Sequence, residues 1–293
     1  MNTGTWYAIG AYILWGVLPI YWKQLHHVSP IQVVCHRVIW TLFFTLVLLA
    51  ATGQLGSLRQ EARRPKVLRT YLIASLLIGS SWLLYVWAVN AGYIVESSLG
   101  YFINPLISVM MGVLIFREKI RPWQWLPVSM AAAGVLYLSI SYGQPPWIAL
   151  GLALVFALYG LVKKTAPLKA AHGLALENLF LLLPALGWLA FTSVRGENAF
   201  TTINLNTDLF LIGGGIVTAI PLLLFASATQ KIPLSMIGLL QYIAPTLQLL
   251  IGVLIYHEDF PTQKLVGYSL VWVGLIIFWL EGWLNRKKSK QAN

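Results

Sequence analysis

A chain of 293 residues that is 58% hydrophobic and 10% charged, with mean hydropathy +0.73, is not a soluble domain; such domains carry roughly 25% charged residues. The single cysteine, Cys35, excludes an intramolecular disulfide, and the net charge of +11 reflects basic loops at one membrane face rather than a nucleic-acid surface.

Ten segments are apolar enough to cross a bilayer, which takes about 20 residues. They run approximately 3–22, 30–52, 68–90, 93–116, 123–141, 146–162, 173–194, 207–229, 232–256 and 262–284. The first is expected to be a span, not a cleaved leader, because no basic residue precedes it. Trp6, Trp22, Trp123, Trp147 and Trp283 fall near span ends, where amphipathic rings favour the interface. With the N-terminus in the cytoplasm, sixteen lysines and arginines fall in inner loops or the tail and three, Lys23, Arg195 and Lys264, fall outside. This asymmetry predicts an even span count with both termini cytoplasmic, in the cytoplasmic membrane.

The fourth segment repeats in the ninth. YFINPLISVMMGVLIFRE at 101–118 matches QYIAPTLQLLIGVLIYHE at 241–258 in a constant register of 140 residues. Pro105 aligns with Pro245, Gly112 with Gly252, Glu118 with Glu258 and Gly134 with Gly274. Displaced by one more residue, the first span overlies the sixth. Each half, 1–143 and 144–293, then holds five spans, and an odd number inverts the second copy. The predicted fold is all-α integral membrane, ten transmembrane helices as two inverted five-helix repeats.

Ionisable side chains inside lipid are costly and mark pathways. His36 and Arg37 lie within the second span, and Glu96 at the start of the fourth is the expected ion partner of Arg37. In the 140-residue register Arg37 corresponds to Glu177, so the halves carry opposite charges at matching positions. Glu177 is the first candidate for proton coupling and His36 the second; an interfacial Glu177 paired with Lys163, Lys164 or Lys231 is the alternative. Pro105 and Pro245 are expected helix kinks, since proline frees a backbone carbonyl. Around them, Trp15, Trp82, Tyr85, Tyr101, Asn104, Gln241 and Tyr242 are expected to line a substrate pocket together with His36, Arg37 and Glu96. Gly213, Gly214 and Gly215 read as a close helix contact, and Glu118 and Glu258 as boundary or capping residues.

The segments HRVIW at 36–40, ESSLGYFINPL at 96–106, LALVFALYGLVKK at 152–164 and LLQYIAPTLQLL at 239–250 resemble the EamA family of the drug/metabolite transporter superfamily, and within it the RarD-like subgroup. The resemblance covers nearly the whole chain. It implies export or exchange of small metabolites or drugs, through a cavity lined by helices 1–4 and 6–9. Many EamA repeats end the fourth and ninth helices with Gly-Glu; this chain has Arg117 and His257 before the glutamates.

No phosphate-binding loop, metal-ligand spacing or nucleophile elbow occurs, so no cofactor is expected. The expected function is secondary transport of a small organic solute, with the proton as candidate coupling ion, by a monomer or weak dimer that contacts membrane lipids and no nucleic acid. An intramembrane lipid-modifying enzyme and a non-transporting membrane protein are the alternatives.

Overall fold

The computed structural model describes residues 2–257, apart from 92, 142 and 144, and most of 265–280. The described residues are helical with short turns and contain no strand. Helices are what the composition requires, because a segment in hydrocarbon must bond its own N–H and C=O groups. They are α1 (Thr3–Trp22), α2 (Pro30–Ala51), α3 (Leu55–Glu61), α4 (Pro65–Asn90), α5 (Ile94–Leu114), α6 (Trp125–Ser141), α7 (Trp147–Thr165), α8 (Ala170–Val194), α9 (Leu205–Thr229), α10 (Leu234–Gln241) and α11 (Ile243–Leu254).

Seven helices are long and apolar enough to cross a membrane: α2, α4, α5, α7, α8, α9 and the continuous pair α10–α11. The first expected span, α1, has 20 residues and packs in the same bundle, against α9 and α11; the fifth, α6, has 17. Much of the tenth, 262–284, lies outside the described residues, as do Glu258, Lys264, Trp283 and the basic tail. The short helix α3, in the basic turn before α4, is an addition to the expected pattern.

The bundle has polar groups inside and apolar groups outside. Leu183, Ile140, Leu205 and Val194 are 71% to 90% exposed. By contrast Tyr12, Tyr71, Tyr159, Tyr242 and Lys163 are among the largest fully buried side chains. That distribution suits a lipid solvent, in which an outward leucine costs nothing and an outward hydroxyl loses its hydrogen bonds.

Local sequence sets the helix starts and breaks. Pro30 and Pro65 open α2 and α4, where a missing N–H is no loss. Asn204 opens α9 by accepting from Thr207 N at 2.8 Å. Of the two expected kinks, only the one at Pro245 coincides with a division, which falls at Tyr242 between α10 and α11. The helix α5 runs unbroken through Pro105. There Gly238 lets α10 lie directly against the Pro105 carbonyl.

Candidate functional site

A cavity of about 540 Å³ enters the bundle at the end where α1 stops and α2 begins. Exposed Lys23, His26 and Pro30 line its mouth. Further in, α1 supplies Trp15 and Trp22, α2 Arg37, α4 Trp82 and Tyr85, and α5 Tyr101 and Asn104. Phe156 of α7 closes one side, and Gln241, Pro245 and Gln248 of α10–α11 another. Helix α8 contributes no lining residue among those described, which narrows the helix set implied by the resemblance.

Arg37 dominates the electrostatics of this space. Its Nε donates to Thr218 Oγ1 at 3.1 Å. Its guanidinium carbon lies 4.6 Å from the centre of the Trp82 ring and 4.9 Å from that of Trp22. The indole faces supply negative potential to a cation removed from water. The expected ion pair with Glu96 does not form. Glu96 instead accepts from Ile148 N at 2.6 Å and so holds the first turn of α7 against the first turn of α5. The reason is local: a helix start offers unpaired N–H groups and a partial positive charge, which a nearby carboxylate satisfies.

Seven of the ten expected pocket residues therefore share one cavity: Trp15, Arg37, Trp82, Tyr85, Tyr101, Asn104 and Gln241. Three do not line it. His36 is buried with its ring 5.0 Å from Phe200. Glu96 caps α7. Tyr242 points into the α5 contact and donates to Phe102 O at 3.2 Å. Tyr12, Trp22, Phe156 and Gln248 also line the cavity, and the sequence does not mark them as pocket residues. Trp22 reads from sequence as an interface anchor but stacks on Arg37. Gln248, one helical turn after Pro245, donates to Trp15 O at 3.1 Å and ties α11 to α1.

The cavity floor is aromatic. Trp15 and Phe156 pack at 6.0 Å, and both touch Phe225. Phe225 stacks on Tyr159 at 6.0 Å with an interplanar angle of 11°. Beyond it, Tyr159 donates to Glu177 Oε2 at 2.9 Å, and Lys163 Nζ donates to Glu177 Oε1 at 2.6 Å. Tyr71 flanks the lysine, whose Nζ is 5.5 Å from that ring centre. Glu177 thus takes Lys163, one of its three expected partners, and the pair is buried within the bundle. Glu177 does not line the cavity: the floor separates the two. Lys163, counted by sequence among loop cations, is 1% exposed.

The loop after α5 carries a second carboxylate at a helix start. Glu118 accepts from Leu234 N at 2.7 Å, from Ser235 N at 2.8 Å and from Ser235 Oγ at 2.7 Å, which is the capping role expected of it. Among the described residues no cluster of His, Cys, Asp or Glu could hold a metal ion.

Comparison with known proteins decides the family. Residues 2–140 match the model of the EamA-like transporter family. The Protein RarD of Streptomyces exfoliatus is 41% identical over 99% of this chain and 92% of its own length. The chain belongs to the EamA family. Within it the similarity is to RarD proteins: that of Escherichia coli K12 is 39% identical over 98% of this chain and 97% of its own. YojE of Bacillus subtilis strain 168, described as an uncharacterized transporter, is 42% identical over 94% of this chain and 93% of its own. A solved crystal structure superposes with TM-score 0.71 and 18% identity over 94% of this chain and 97% of that one, a likeness of fold. This EamA protein is a multi-pass membrane protein with a cavity at the α1–α2 end of the described bundle.

Proposed function

We propose that the chain is a secondary transporter that carries a small organic solute across the cytoplasmic membrane by alternating access. The observation that carries this reading is a cavity that runs from exposed Lys23 and His26 in to Trp15 and Phe156, behind which Phe225 and Tyr159 pack. A channel needs a path through, which the aromatic packing beyond Trp15 and Phe156 disfavours; an intramembrane hydrolase needs a nucleophile and base together, and among the described lining residues no such hydrogen-bonded pair occurs. Related proteins described as transporters favour the same reading.

Two inverted repeats supply the mechanism, and several matched contacts support them. The neighbour pairs α1–α9 and α1–α11 have counterparts in α7–α4 and α7–α5, and α2–α9 in α8–α4. Lys23 lies over the Tyr256 ring, and Lys164 over the Phe116 ring, matched with the one-residue displacement that relates the first span to the sixth. A Cβ on Gly134 would lie 2.7 Å from Gly267 O, and one on Gly274 would lie 2.9 Å from Pro127 O. Phe102 and Tyr242, equivalent positions, meet each other, as residues beside a two-fold axis must. On this axis Trp22–Arg37 and Lys163–Glu177 are counterparts, one at the open end and one behind the floor. Rocking one half against the other exchanges which end is open.

With the basic loops inside, the open end faces outward and the Lys163–Glu177 end is the closed cytoplasmic gate. Glu177 and His36 are the candidate proton carriers; Glu177 would take a proton when gate opening withdraws Lys163. The test is uptake and counterflow of a solute library in proteoliposomes, with and without a pH gradient. Solute-specific flux that needs this protein is expected. Absence of flux and of counterflow for every solute would overturn the transporter reading.

A further inference from the structure

We infer that the solute is an organic anion with a flat unsaturated ring, its carboxylate held by Arg37 and its ring by the surrounding indoles and phenols. This deepens the transporter reading and rests on it. Among the described residues the charged groups lining the cavity are Arg37 and Lys23, both basic, with His26 at the mouth, and no Asp or Glu lines it. The described lining around Arg37 therefore carries positive charge alone.

Arg37 is a cation whose protein partners leave it incomplete. Thr218 takes the Nε hydrogen. Among the described residues neither Nη group has a hydrogen-bond acceptor, and no carboxylate lies within ion-pair distance. Nor are the Nη atoms among the sealed polar atoms without partners, so they reach the cavity. A guanidinium presents a planar fork that matches a carboxylate with two parallel hydrogen bonds, and in a space of low dielectric these are strong. Trp22 and Trp82 flank the guanidinium and hold that fork in place. Tyr12, at the floor, has a buried hydroxyl with no protein partner.

The walls select the remainder of the solute. Trp15, Trp82, Tyr85 and Tyr101 offer ring faces and edges, and Tyr85 and Tyr101 meet at 5.9 Å in a T-shaped arrangement. A cavity of about 540 Å³ is in the range for drug-sized ligands and suits one or two fused rings with a short acidic arm. Among the described lining residues an amine would meet two cations and no anion. A neutral amide would leave the fork half used.

The experiment uses the full chain purified into lipid nanodiscs. Titration calorimetry compares phenylacetate and indole-3-acetate with phenylacetamide, indole-3-acetamide and phenethylamine. Each acid is expected to bind about tenfold or more tighter than its amide, the ratio set by a charged hydrogen bond, and the amine should not bind. Arg37→Gln should bring acid and amide within about twofold of each other while its melting profile stays that of a folded protein. Should Arg37→Gln not fold, Arg37→Lys provides the check: it keeps the charge, loses the fork and should retain only part of the preference. Equal binding of acids and amides, preference for the amine, or no binding of any probe would overturn the inference. Acids that bind but are never moved in proteoliposomes would leave the anion site standing and sink the transporter reading.

Discussion

Lys163 Nζ lies 2.6 Å from Glu177 Oε1, and each side chain is 2% exposed. The pair joins α7 to α8 behind the cavity floor, and Tyr159 bonds the second carboxylate oxygen. Charges buried this deeply stand only because they satisfy each other. Removing one partner leaves the other bare, at about 3–5 kcal/mol, whereas replacing both with apolar groups of similar size is nearly neutral. Thermal unfolding in detergent should therefore report large losses for Glu177→Leu and for Lys163→Met singly. The double variant should recover most of the loss. A double variant no more stable than the worse single would mean that the two charges are not coupled. On the proposed gate mechanism, the double variant should leak substrate more readily than wild type in transport assays.

Glu118 joins two halves of the chain by a different device. Its carboxylate meets the first N–H groups of α10, where the orphan donors and the helix dipole both favour an anion. Glu118→Ala should destabilise by about 1–2 kcal/mol, the worth of a lost cap. Glu118→Gln keeps an oxygen acceptor and should lose less. Hydrogen exchange of residues 234–237 gives the local readout: faster exchange there, and unchanged exchange in α8, is expected of both variants. Uniform acceleration would mean a general loosening instead.

Much of the pocket is legible in the sequence, because a polar or aromatic residue mid-span must be satisfied by something inside. Arg37, Asn104, Gln241 and Trp82 are found by that rule. It cannot say which inside surface a residue faces. Tyr242 and Gln241 are neighbours, yet one turns into the α5 contact and the other into the cavity. Apolar periodicity does not help, since lipid-facing and buried faces of these helices are equally apolar; Leu183 and Leu174 look alike in sequence but are 79% and 2% exposed. Charge counting also misassigns Lys163, because a lysine in the last turn of a span satisfies the loop-charge rule whether it points out or in. Glu96 is misassigned because sequence does not reveal that the start of α7 lies against it.

The glycine run of α9 tests the same boundary between pattern and packing. Sequence treats Gly213, Gly214 and Gly215 as one close contact. The structure separates them: a Cβ on Gly215 would overlap the backbone carbon and Cβ of Trp40, while one on Gly214 would sit 3.5 Å from Trp22 in ordinary contact. Thr41 Oγ1 donates to Gly215 O at 3.2 Å across the same α2–α9 seam. Gly215→Ala should part the helices and cost about 2 kcal/mol or more, as overpacking does. Gly214→Ala should be neutral or stabilising by up to about 1 kcal/mol, from helix propensity alone. Similar melting temperatures for the two variants would contradict this packing.

Arg117 and His257 share a backbone feature that the family pattern explains. Both have left-handed φ, 53° and 52°, at the residue before a glutamate. Many EamA repeats carry glycine there, and a residue with a Cβ costs about 1–2 kcal/mol in that conformation. Glycine removes that strain and forfeits part of the gain through its freer unfolded chain, about 0.5–1 kcal/mol. Arg117→Gly and His257→Gly should each stabilise by about 0.5–1 kcal/mol. Arg117→Ala is the control. It keeps the Cβ and loses only an exposed side chain, so its melting temperature should match wild type. If Arg117→Gly is no more stable than Arg117→Ala, left-handed strain is not what these two positions carry, and the glycine of the family pattern would need another cause.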